Sequence, residues 1–109
     1  MSMPRLPQLG ALALAGGIAA AMGAETSTIS KAELELGRRL IREHRCDECH
    51  ARRVGGDGSA IYRPKGRINS PSALRTMVEY CSTQLTLQLF PEEVEAIAAV
   101  LDGDHYHFH

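Results

Sequence analysis

The chain has 109 residues, which is one domain at most. It carries 12 Lys and Arg against 13 Asp and Glu, a formal net charge of −1, no Trp and three Cys. Such a balance, with no basic run interleaved with aromatics, argues against a nucleic-acid partner, and three cysteines cannot form a disulfide framework.

Charge is unevenly spread along the chain. Between Arg38 and Arg67 nine Lys and Arg face four acids, Glu43, Asp47, Glu48 and Asp57. From Glu79 to the end there are six acids and no Lys or Arg. The middle is basic and the C-terminal end acidic.

Residues 1–24 have the layout of a secretory signal peptide. A short lead carries Arg5, and Leu9 to Met22 is apolar and small. Ala19-Ala20-Ala21 offers the small-x-small pattern of a cleavage site, and Ala24 is a second possible end, so cleavage is expected near 21–24. An uncleaved anchor would need roughly 20 apolar residues, and this run is shorter. The protein is therefore expected to be periplasmic or otherwise exported, with a membrane involved only through the signal segment. A mature chain of about 85 residues buries only about 60% of its unfolded surface and is marginal by itself, and domains of this size usually add a metal, disulfides or a large cofactor.

Ser30 fits a helix N-cap, with Glu33 completing a capping-box pattern. Leu34, Leu40 and Ile41 make an apolar stripe, so a helix is predicted from about Lys31 to His44. Gly37 inside it costs about 1 kcal/mol relative to Ala, and close approach of another helix would justify it. Ala51 to Asn69 holds four glycines and Pro64, and is predicted as a long loop. Ser70 can cap the next helix, with Pro71 at its first position. Leu74, Met77, Val78 and Cys81 would form its buried stripe, and Ser82 to Phe90 would connect it onward. Pro91 opens a last helix, with Glu92 and Glu93 placed against its dipole. Val94, Ile97, Ala98 and Leu101 would form its buried face, and Gly103 its stop. The expected class is all-α: three main helices and a Gly-rich loop.

Cys46-Asp-Glu-Cys49-His50 is C-x-x-C-H. Two thiols at this spacing can add to the two vinyl groups on one edge of a haem, and the adjacent His can supply the proximal nitrogen to iron. Two other readings of the pair exist. A thioredoxin-like dithiol would want a surrounding βαβ pattern, which is missing here. A zinc site would have to recruit His105, His107 and His109 from the tail.

On these residues the chain resembles the small monohaem class I cytochromes c. The resemblance spans residues 25–109: a first helix with Gly37, the CDECH motif, a Gly-rich loop, a helix, and a final helix with Val94, Ile97 and Leu101. It implies one covalent haem c per chain, held by Cys46 and Cys49, with the chain wrapped around it. It implies that the first and last helices cross at Gly37, and that the Pro64 carbonyl accepts a bond from Nδ1 of His50; the alternative is that Pro64 is only a turn residue. It also implies a methionine ligand in the loop between the last two helices. Here Ser82 to Phe90 contains neither Met nor His. Met77, in the preceding predicted helix, is the tentative distal ligand; Cys81, Asn69, a tail histidine or an open iron are the alternatives. Arg63, Lys65 and Arg67 could pair with haem propionates or form a solvated basic loop.

The expected function is to carry single electrons between redox partner proteins, as an electron-transfer protein and not an enzyme. The basic middle favours a partner with an acidic docking surface. The alternative is a haem protein with a weak or open distal site that binds small ligands or does peroxide or sulfur redox chemistry.

Overall fold

The computed structural model describes residues 2–4 and 29–109. The proposed signal segment and its cleavage region lie, apart from residues 2–4, outside the described residues. Four α-helices follow in order: α1 (Lys31–Glu43), α2 (Cys46–Val54), α3 (Pro71–Gln84) and α4 (Pro91–Leu101). No strand occurs among the described residues, so this part of the chain is all-α. None of the described helices is long and apolar enough to cross a membrane.

α1 starts where the sequence places it. Ser30 Oγ accepts from the Glu33 N–H at 3.1 Å, satisfying one of the donors that a helix start leaves without a partner. Its buried face is Gly37, Leu40 and Ile41. α4 crosses at Gly37, and α1 with α4 is the most extensive helix contact. A Cβ on Gly37 would strike the Ala96 carbonyl oxygen and lie 2.7 Å from a Val100 methyl. Glycine is what lets two backbones approach this closely.

α2 departs from the sequence expectation. Its sequence predicts a loop from Ala51, but the helix runs on to Val54 and ends at Gly55, whose φ of 82° suits only glycine well. α2 has no buried residue, so it carries no apolar stripe by which it could be recognised.

α3 starts at Ser70, whose Oγ accepts from the Ala73 N–H at 3.1 Å, with Pro71 behind it. Its buried face differs from the expected stripe. Leu74, Val78 and Ser82 are buried, Cys81 is half-buried, and Met77 is 41 % exposed. The core meets α3 along the i, i+4, i+8 row, which leaves Met77 on the outer flank. α3 also continues past Ser82 to Gln84. Ser82 can be buried because it is bonded: its Oγ accepts from Leu89 N–H at 3.3 Å and its carbonyl from Leu87 N–H at 2.9 Å. These two bonds shape the turn into α4.

α4 begins with the Glu93 carboxylate accepting from the Phe90 N–H at 2.8 Å. Val94, Ile97, Ala98 and Leu101 are buried as expected, joined by Ala96 and Val100. Gly103 does not stop the chain. One wide turn, Asp102–Tyr106, follows and closes with His107 N–H on the Asp102 carbonyl at 2.7 Å. Tyr106 enters the core beside Leu40, Ile41 and Leu101. The buried Asp102 carboxylate accepts from Phe108 N–H at 2.6 Å and meets His109 Nδ1 at 2.5 Å, so its burial is compensated.

The wide turn is tied to α1 by a two-pronged ion pair. Arg38 Nη1 and Nη2 donate to Asp104 at 2.8 and 3.2 Å. The bond from Arg38 holds the Asp104 carboxyl below its ordinary value of 3.8. A lowered folded value means that this pair stabilises the fold above pH 3.8 and stops doing so as pH falls through that lowered value. Because both side chains are partly exposed, the contribution is modest. Wild type should be more resistant to urea than Asp104→Asn at neutral pH, and the difference should shrink below pH 3.8. A difference that stays constant with pH would show that the charge contributes nothing.

Candidate functional site

The site is built on the first turn of α2. Arg45, in the left-handed conformation with φ 53°, swings the chain out of α1 and into α2. Cys46 and Cys49 are three apart and His50 is four from Cys46, so all three share one face of α2. Both thiols are free. Cys46 is half-buried against the core and Cys49 is exposed.

The loop after α2 folds back onto this face. Gly58 makes that possible. Its φ is 86°, and a Cβ on it would lie 2.7 Å from the Asp47 carbonyl oxygen and 3.0 Å from His50 Cβ. Asp57 then accepts from both the backbone N–H and the hydroxyl of Ser59, at 3.0 and 2.6 Å. This Asx turn starts a short 3-10 turn, Ser59–Ile61, which delivers Tyr62 to His50. The Tyr62 hydroxyl lies 3.0 Å from His50 Nδ1. The tyrosine ring stacks on His105 at 4.3 Å between centroids and 22°, and meets Tyr106 edge-on at 6.0 Å. The resemblance implies Pro64 as a partner of Nδ1, but Pro64 is exposed and the Tyr62 hydroxyl occupies that place. Tyr62 is the one aromatic residue between Ala51 and Asn69, and that was the only signal the sequence offered.

Electrostatics describe resting, neutral groups. Burial, reinforced by the Asp47 charge and by Cys81, pushes the Cys46 thiol up to about 11. Burial also raises Cys81, with Cys49 adding and Arg53 opposing. Burial lowers His50, against the pull of Asp47, and a neutral imidazole is the form that ligates a metal. Burial raises Tyr62, which therefore stays protonated. Catalytic dithiols need a lowered thiol pKa; a thiol near 11 is poorly suited to that chemistry.

The other singled-out residues scatter. Met77 sits on the outer flank of α3 near the exposed Tyr80. Asn69 is exposed. His105 is stacked on Tyr62, His109 is bonded to Asp102, and His107 is exposed. Arg63, Lys65 and Arg67 are all exposed. Among the described residues, no three His, Cys, Asp or Glu side chains are grouped to hold a metal ion, so the tail histidines do not complete a zinc site with Cys46 and Cys49.

One face of α2 thus carries two thiols one helical turn apart and one imidazole whose charged form burial disfavours. No family model, curated protein or solved structure matches the chain.

Proposed function

We propose that this chain is an exported monohaem c-type cytochrome that carries single electrons between redox partner proteins. The observation that carries the proposal is the single α2 face presenting Cys46, Cys49 and a neutral His50. Cys46 and Cys49 would form the thioethers of one haem c, and His50 would bind its iron. When bound, the haem supplies one-electron exchange at iron. The chain's own residues hold the thiols one helical turn apart, keep His50 uncharged and fix its ring. The α1–α4 crossing at Gly37 supports a cytochrome c-like fold, because class I cytochromes cross their terminal helices at a glycine. No residue set for substrate chemistry is assigned, and the protein is read as a carrier and not an enzyme.

Arg52, Arg53, Arg63, Lys65 and Arg67 are exposed on α2 and the loop that follows it. Like charge beside the site would steer a partner with an acidic docking surface. Its association rate should fall steeply as ionic strength rises past about 0.1 M, where the Debye length is about 10 Å. A rate independent of salt would leave these residues as solvated surface.

The flank position of Met77 favours a second reading. No side chain of the connector Ser82 to Phe90 can offer a thioether or imidazole, and Met77 lies outside the core face of α3. A haem with a weak or open distal site would bind small ligands or do peroxide or sulfur redox chemistry. Carbon monoxide separates the readings. For the carrier, with Met77 as distal ligand, the reduced wild-type spectrum should not change on addition of the gas, and Met77→Leu should shift at once. An immediate shift in wild type, unaltered by Met77→Leu, would replace the carrier with the open-site protein.

A further inference from the structure

An imidazole that binds a metal through Nε2 carries its proton on Nδ1, and the partner of that proton fixes both the tautomer and the ring angle. His50 is half-buried, and a buried ring N–H needs an acceptor. The group in place is the Tyr62 hydroxyl, 3.0 Å from Nδ1. A phenol can accept one bond while donating another.

Tyr62 is itself firmly held. His105 stacks on one side of its ring at 4.3 Å, and Tyr106, 6 % exposed, meets it edge-on. Both belong to the wide turn Asp102–Tyr106, which Arg38 of α1 anchors through Asp104. A continuous line of contacts therefore joins the α1–α4 frame to the His50 ring. It passes through the C-terminal turn and Tyr62, and it involves no backbone carbonyl of the Gly-rich loop.

We infer that Tyr62 is the positioning residue of His50: its hydroxyl oxygen accepts the Nδ1 proton, sets the tautomer that leaves Nε2 free for iron, and holds the ring angle. The inference rests on the haem reading above. It carries a consequence for tuning. A neutral phenol is a weaker acceptor than a carboxylate, so His50 gains less donor strength than it would from a charged partner. Removing even this acceptor weakens the donor further, which favours reduced iron.

The test is Tyr62→Phe in the haem-loaded full chain, a substitution that keeps the ring and its stacking. Two quantities are measured beside wild type: solvent exchange of the His50 Nδ1 proton by NMR, in reduced protein kept low-spin with carbon monoxide where the iron takes it up, and the reduction potential. The expected result is normal covalent haem content, exchange faster by several-fold to about tenfold, as for one lost hydrogen bond, and an upward shift in potential. Tyr62→Phe with normal haem content but wild-type exchange and potential would overturn the role of Tyr62 and leave the haem reading standing. A wild-type chain that carries no covalent haem would overturn both.

Discussion

Gly37→Ala is expected to lower the stability of this protein substantially. Alanine is the better helix former by about 1 kcal/mol, so an exposed helical glycine would gain from it. At Gly37 the new Cβ meets the backbone of Ala96 and a methyl of Val100 at 2.7 Å. A backbone carbonyl inside α4 cannot turn aside as a side chain can, so α1 and α4 must separate. Overpacking of this kind costs about 1–3 kcal/mol, and here it acts on the most extensive helix contact. A domain this small has roughly 5 kcal/mol to lose, and each 1 kcal/mol moves Tm by about 4–8 °C. Thermal unfolding followed by circular dichroism should show Tm lower by about 10 °C. Gly103→Ala is the control, because nothing lies within 4 Å of its added Cβ, and its Tm should stay near wild type. If the two variants melt together, the helices do not meet at Gly37.

The second large effect is expected at the thiols. Cys46→Ala or Cys49→Ala should each lose most of the holoprotein recovered from the export compartment, and the double variant nearly all of it. Two thioethers keep a cofactor in place where a small core leaks, and domains near this size usually depend on such a staple. The core consists of ten buried side chains, from Leu40 to Tyr106. Alanine at Cys46 removes little packing, since that residue is only partly buried at the core's edge. A fall in yield would thus report the lost attachment and not a damaged core. Recovery of the double variant at wild-type yield, folded and free of haem, would contradict the proposal.

α1, α3 and α4 could be read from the sequence because each has a start signal, Ser30, Ser70 with Pro71, and Pro91, followed by apolar residues at helical spacing. α2 could not, because none of its nine residues is buried and no period marks it. The crossing at Gly37 was legible as an otherwise costly glycine. The Met77 error came from a stripe taken one residue too wide: i+3 and i+4 both look buried in sequence, and only packing shows that the core follows Val78 and Ser82. Tyr62 was out of reach for a different reason. Its contact with His50 depends on the positive φ of Gly58, the turn at Asp57 and a C-terminal turn more than forty residues away in the chain. Motif spacing carries no information about such a closure. The motif itself, Cys46, Cys49 and His50, needed no tertiary information, since one helical turn fixes its geometry.

The most direct test of the haem proposal is the intact mass of the protein recovered from cells. The full chain should be produced in cells that export it and can attach haem, then extracted with acidified organic solvent. The expected result is a polypeptide heavier by one haem, coloured after extraction and denaturation, with the added mass on the peptide that contains Cys46 and Cys49. A colourless chain of unmodified mass from such cells, or haem that extraction removes, would contradict the account.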